Sequence, residues 1–190
     1  GDNARSMETI EILEHMAAID ASVAWNVMLG SEINAMAAGG MDPALAKEIY
    51  LDNPRVVMCG GGGPGSTVPR AERQPDGSVK VWGQTTFISG CHNAHYCFMG
   101  APLMKGDEPE TDENGMPIFK LWMLPRDQFE IVRTWDVAGL RGSGSDDVHA
   151  DGAVVPEKWT VIDLWTVPAH YPNPVYRMPT ALRLAYNKAA

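Results

Sequence analysis

Thr67-Val68-Pro69-Arg70-Ala71-Glu72-Arg73-Gln74-Pro75-Asp76-Gly77-Ser78-Val79-Lys80-Val81-Trp82 decides the fold class of this 190-residue chain. Pro75-Asp76-Gly77 supplies a preset φ, an Asx oxygen and a residue free to take positive φ, so it predicts a hairpin turn between Thr67–Arg73 and Ser78–Trp82. Antiparallel β structure therefore occupies the middle of the chain. That reading also disposes of Gly60-Gly61-Gly62-Gly63-Pro64-Gly65, which formally matches G-x-G-x-x-G. A dinucleotide fingerprint must open a crossover helix, and here prolines and a hairpin follow instead. The glycines still expose backbone that approaches a flat ring or a phosphate closely, or they form a plain flexible turn.

Upstream the sequence is helical. Met7, Ile10, Leu13, Met16 and Ala17 recur at helical spacing behind Ser6, and Asp20 or Ser22 opens a second helix that stops at Gly39-Gly40. Asp42-Pro43 predicts an N-cap and first-turn proline for a third helix through about Tyr50. The methionines of the second helix are expected in a packed core. Downstream, Arg55–Cys59, Thr85–Ser89, His95–Gly100, Ile118–Leu124, Phe129–Trp135 and Val148–Val155 are strand candidates. Turn signals every ten residues or so between them suggest a barrel or sandwich. Lys105–Met116 is acidic and predicts a solvated hairpin tip. Four prolines between 167 and 179 predict an extended connection, and Thr180–Ala190 the first turns of a helix. The fold class is α+β.

Composition narrows the partners. A net charge of −9 and a pI near 4.9 disfavour nucleic acid and anionic membrane surfaces. No apolar run approaches the roughly 18 residues of a membrane helix. Three cysteines and no basic-then-apolar leader in Gly1–Ser6 lead to the expectation of a cytoplasmic protein.

Two further stretches carry candidate chemistry. Cys91-His92-Asn93-Ala94-His95-Tyr96-Cys97 combines sulfur and imidazole, but its spacing matches no structural zinc pattern, so no metal is expected. His92 or His95 is placed to move protons near neutral pH, or is simply held by structural hydrogen bonds. Trp135–Val148 is a long polar loop with Ser143 and Ser145, and it lacks the G-x-S-x-G elbow of a hydrolase nucleophile.

Asp20–Asn26, Gly83–Cys91 and the Trp135–Val148 loop running on to Val154-Val155-Pro156-Glu157, in that order, resemble the acyl-CoA dehydrogenase superfamily, and within it the two-component (group D) flavin-dependent monooxygenases. The resemblance implies part of an N-terminal helical domain (1–54), a middle β domain (55–166), and a linker with the start of a C-terminal helical domain (167–190). The family's chains are longer, and their C-terminal helical bundle has no counterpart here. The resemblance places the flavin, FMN or FAD, against Phe87, Ile88 and Ser89, with the Ser89 hydroxyl at N5 and backbone contacts from Gly62 and Gly63. The dehydrogenase stretch T-E-P-x-x-G-S-D is replaced by Gly62–Thr67. The implied reaction is hydroxylation of an aromatic or heterocyclic small molecule through a C4a-(hydro)peroxyflavin, with reduced flavin from a separate reductase. Ser89 is the implied catalytic hydroxyl. His92 and His95 are candidates for an imidazole near the peroxide or a phenol-like substrate, although in the family that histidine comes from the C-terminal helices. A homo-tetramer or dimer is implied. The alternatives are an acyl-CoA dehydrogenase performing FAD-dependent α,β-desaturation, and a non-catalytic binding or assembly module.

Overall fold

The computed structural model describes residues 6–61, 63–161 and 171. The expected proline-rich connection and following helix of 167–190 lie outside the described residues, Tyr171 apart. Three helices come first: α1 (Ser6–Ile19), α2 (Ala21–Gly40) and α3 (Pro43–Asp52). Asp20, not Ser22, caps α2 by accepting from the Ser22 and Val23 N–H groups, and Asp42 does the same for Ala44 and Leu45 with Pro43 behind it.

Nine strands follow among the described residues: β1 (Met58–Gly60), β2 (Arg70–Arg73), β3 (Ser78–Thr85), β4 (Tyr96–Lys105), β5 (Glu108–Pro109), β6 (Phe119–Pro125), β7 (Glu130–Val132), β8 (Asp147–Pro156) and β9 (Thr160–Val161). Their order is β7-β8-β3-β2-β4-β6-β9, with β1 and β5 also on β4. Pairing is mostly antiparallel, as expected, but β1 and β2 both run parallel to β4. The β2–β3 turn is the predicted one: Gly77 has φ +83° and its N–H donates to the Gln74 carbonyl. No helix follows Gly60–Gly65. At the acidic hairpin tip, Arg73 ties Glu110 to Glu157.

Four expected strands are shorter than the sequence suggested: Arg55–Cys59 becomes β1 at Met58–Gly60, and the Thr67–Arg73 arm becomes β2 at Arg70–Arg73. Thr85–Ser89 is not a strand of its own: β3 runs through to Thr85, Phe87 then turns to φ +59°, and a short 3-10 turn follows at Cys91–Asn93. Phe129–Trp135 shrinks to β7, because the next residues bond to the Asp146 carboxylate instead of to a neighbouring strand.

Alternation along β4 organises the core. Cys97, Met99, Ala101 and Leu103 face the β interior with Val79, Val81, Trp122, Leu124, Val148 and Val155. Between them, Phe98 faces the helices with Met123 and Leu121 of β6, against Ile33 and Ala37 of α2, Met41 just after it, and Leu45 and Ile49 of α3. In β8 the alternation shifts phase at Gly152 (φ +79°), a bulge where Val81 pairs with Ala153 and Trp82 with Asp151. That shift returns Ala153 and Val155 to the interior.

Candidate active site

Beyond Phe98 the helices no longer cover β4, and Gly100 and Pro102 instead floor a cleft of about 760 Å3. Its size is ordinary for a small-molecule site. Along one wall, α2 presents Trp25, Leu29, Glu32 and Met36, spaced by four, three and four residues and so on one helix face. Met28 is buried as expected, and Met36 packs partly buried against the helix-facing core while also lining the cleft. Gly60, Gly61, Gly63 and Pro64 form one rim, and Trp135, Leu140, Ser143 and Ser145 the opposite one. Phe119 and Leu121 of β6 also line it.

Phe87 is the most conspicuous side chain of the site. It is 65% exposed, sits at φ +59° where a bulky residue is strained, and meets Trp135 edge-on with ring centroids 6.1 Å apart. Its ring is therefore held out toward the cleft, where an aromatic group would be its natural contact. Ser89 also lines the cleft. Its Oγ accepts from Trp25 Nε1 at 3.0 Å and lies 2.7 Å from Ser145 Oγ, which lies 2.7 Å from Ser143 Oγ.

Among the described lining residues the only ionisable side chain is Glu32, 4% exposed in a wall that is otherwise apolar, hydroxyl-bearing or glycine.

Asp146 fixes the Trp135 rim. One oxygen accepts from the Thr134 and Trp135 N–H groups, both at 2.7 Å, and the other lies 2.7 Å from His92 Nε2. Burial opposes ionisation of this carboxylate, but the Trp135 N–H, His92 and the Thr134 N–H outweigh it and hold its pKa below the usual aspartate range. Asp147 adds bonds to Gln84 Nε2 and Thr134 Oγ1. The opposite rim is stitched by backbone: the Gly61 and Gly63 carbonyls accept from Thr85 Oγ1, and the Gly63 carbonyl also from the Thr86 N–H.

The residues singled out in the sequence thus separate. Ser89, Phe87 and Gly63 come together at the cleft, while Gly62 lies outside the described residues. Ile88 is fully buried in the β interior, so its side chain is packing and does not line the cleft. His92 is engaged by Asp146 behind the rim. His95 is exposed and accepts from the Val57 N–H through Nδ1; neither histidine lines the cleft. The reason is register: the 3-10 turn after Ser89 carries both imidazoles past the cleft before β4 begins. The sequence reading missed Trp25, Glu32, Trp135, Ser143 and Ser145 as lining groups. The 25/29/32/36 stripe was a usable signal for the helix wall; the serine contacts had none.

No family model matches the chain. It is 29% identical over 170 residues to indole-3-acetate monooxygenase from Acinetobacter baumannii, covering 90% of this chain and 40% of that protein. Over 157 residues it is 31% identical to the oxygenase component of an FADH(2)-dependent resorcinol hydroxylase from Rhizobium sp., covering 83% and 36%. The chain therefore spans about two fifths of the length of these curated relatives. Among solved structures, XiaF from Streptomyces sp. in complex with FADH2 and glycerol superimposes with a TM-score of 0.78 at 19% identity, over 96% of this chain and 44% of that one. FMN-bound TdsC from Paenibacillus sp. A11-2 does so with 0.70 at 21% identity, over 82% and 40%.

Proposed function

We propose, from its kinship with the oxygenase components of flavin-dependent monooxygenases on the acyl-CoA dehydrogenase-like fold, that this chain forms the flavin-facing part of such an enzyme, hydroxylating an aromatic or heterocyclic small molecule. The observation that carries this reading is the cleft itself: apolar walls, Phe87 held out at strained φ beside Trp135, and Ser89 as an inward hydroxyl. These features fit a flat tricyclic ring with one polar edge. Gly61 supports the fit, because a Cβ added there would meet nothing within 4 Å, so the rim leaves room for a ring to approach backbone.

In this reading Phe87, Trp135, Gly61 and Gly63 would hold the isoalloxazine, and Ser89 would be the hydroxyl available to its polar edge. Bound reduced flavin, as FMN or FAD, supplies the electrons that activate oxygen for insertion of one oxygen atom into the substrate. The chain's own part is to orient the ring, exclude water with the α2 wall and hold a proton at Ser89. The described lining offers no lysine or arginine for flavin phosphates, so these would be held by other parts of the assembly. The substrate would sit between the ring and the Trp25–Met36 stripe. A separate reductase supplies the reduced flavin, the oxygenase is a homo-tetramer or dimer, and it works in the cytoplasm. The domain division at residues 54 and 166 belongs to the same proposal. Among the described residues no helix is long and apolar enough to cross a membrane.

The test is titration of the chain with oxidised and dithionite-reduced FMN and FAD, followed by oxygen uptake with a flavin reductase and candidate aromatics. Binding of reduced flavin and hydroxylated product are expected, with Ser89→Ala releasing more hydrogen peroxide per turnover. Failure to bind either flavin in either redox state would overturn the reading.

A further inference from the structure

Trp25 Nε1, Ser89 Oγ, Ser145 Oγ and Ser143 Oγ form one continuous chain of contacts at 3.0, 2.7 and 2.7 Å. The indole N–H only donates, and each serine hydroxyl has one proton and two lone pairs. If Ser143 donates to Ser145 and Ser145 to Ser89, the Ser89 oxygen accepts twice. Its own proton is then left to point into the cleft, and every other proton in the chain is bonded. If the sense reverses, Ser89 keeps a lone pair for the cleft, but the proton of Ser143, 1% exposed, has no acceptor among the described residues. If Ser89 and Ser143 both donate to Ser145, the proton of Ser145, 4% exposed at the cleft's edge, has no acceptor among the described residues either. A buried donor without an acceptor is costly, and aligned hydroxyls reinforce one another, so the first sense is the one the protein favours.

We infer that Ser143 and Ser145 are positioning residues that make Ser89 a hydrogen-bond donor toward the cleft. A ligand offering its own N–H or O–H to Ser89 must turn the relay, by rotating three O–H bonds with no covalent bond broken. This deepens the flavin reading and rests on it: N5 of oxidised flavin is an in-plane acceptor, whereas N5 of reduced flavin carries a hydrogen in that plane. The relay therefore reads the redox state of the ring, and removing Ser145 frees a Ser89 lone pair for the N5 hydrogen.

Affinities of oxidised and of dithionite-reduced FMN, measured on the chain and its variants, test this directly. Ser145→Ala is expected to raise the ratio of oxidised to reduced dissociation constants by about threefold or more, and Ser145→Thr, which keeps a hydroxyl, to restore it. Equal weakening of both forms, or an unchanged ratio, would mean that Ser145 only fills space and would overturn the relay. Should Ser145→Ala not fold, Ser143→Ala is read the same way, with a smaller shift of the same sign expected. A second readout separates the relay from the flavin reading. In the ligand-free chain, Ser143→Ala should move the Trp25 indole N–H resonance although it lies two hydroxyls away. An unmoved resonance overturns the relay, whereas a moved resonance with no FMN binding leaves the relay standing and removes the flavin.

Discussion

The two rims of the cleft are held in opposite ways. Gly60, Gly61, Gly63, Pro64 and Gly65 offer only backbone to their neighbours: the Gly61 and Gly63 carbonyls accept from the Thr85 and Thr86 hydroxyls, and the Gly65 N–H donates to the Gln84 carbonyl. Residues 134–147 are held by side chains: Asp146 on two N–H groups and His92, Asp147 on Gln84 and Thr134, and Trp135 Nε1 donating to the Leu140 carbonyl. The first rim sets a shape and contributes nothing bulky. The second presents Trp135, Ser143 and Ser145, and because a carboxylate anchors it, its order depends on pH. A backbone rim fails when atoms are added; a side-chain rim fails when a group is removed or titrated.

The largest expected effect is on the side-chain rim. Asp146→Ala leaves two N–H donors and His92 without their acceptor and should cost about 3 kcal/mol in chemical denaturation. A loss below about 1 kcal/mol would transfer the anchoring role to Asp147. Next comes Gly60→Ala on the backbone rim. At φ +153° its Cβ would lie 2.7 Å from Phe98 Cβ and 2.9 Å from the Phe98 carbonyl oxygen, for about 2 kcal/mol. Gly61→Ala, in open space at φ +99°, should cost about 1 kcal/mol from backbone strain alone. Equal costs at the two positions would mean that the rim does not press on β4.

Acid should separate the rims more gently. The Asp146 pKa is depressed in the folded chain, so its contribution is complete above the ordinary aspartate pKa of about 3.9 and is lost as pH falls through the lower folded value. Amide exchange across 134–147 should accelerate over that range relative to Gly60, Gly61, Gly63 and Gly65, and Asp146→Asn should abolish the difference. Other depressed carboxylates, Asp76, Asp112 and Glu157, lie outside both rims and act equally on the wild type and this variant.

The smallest effect is a null one. Burial pushes the Cys91 thiol up to about 12, and a hydrogen bond with Cys97, then burial, raises that of Cys59. All three free cysteines are buried, so thiol reagents at pH 8 should react only as fast as the chain unfolds. A fast-reacting Cys91 would reveal opening of the turn behind Ser89.

Much of the fold was legible because the relevant bonds are local. Asp20 and Asp42 cap helices two and three residues away, and Gly77 closes a turn onto Gln74. The α+β class and the succession of helices and then strands along the chain followed from such signals, while the resemblance singled out Phe87 and Ser89, which line the cleft. His92 and His95 were misplaced because their direction depends on where a 3-10 turn ends, which residue type does not encode. Trp135 was hidden because its strand-like neighbours are claimed by a carboxylate eleven residues on.

By itself the sequence determined the helix starts, the hairpin, and the stock of hydroxyls and aromatic rings available to a site. Only the tertiary structure decided that Trp25 reaches Ser89 across 64 positions and Ser89 reaches Ser145 across 56, while His92 is withheld. Caps and turns are paid for within one turn of chain and so leave a local pattern. Contacts between distant segments depend on sheet register and on which of α2's apolar faces the β domain covers, and these are set by packing the whole molecule at once.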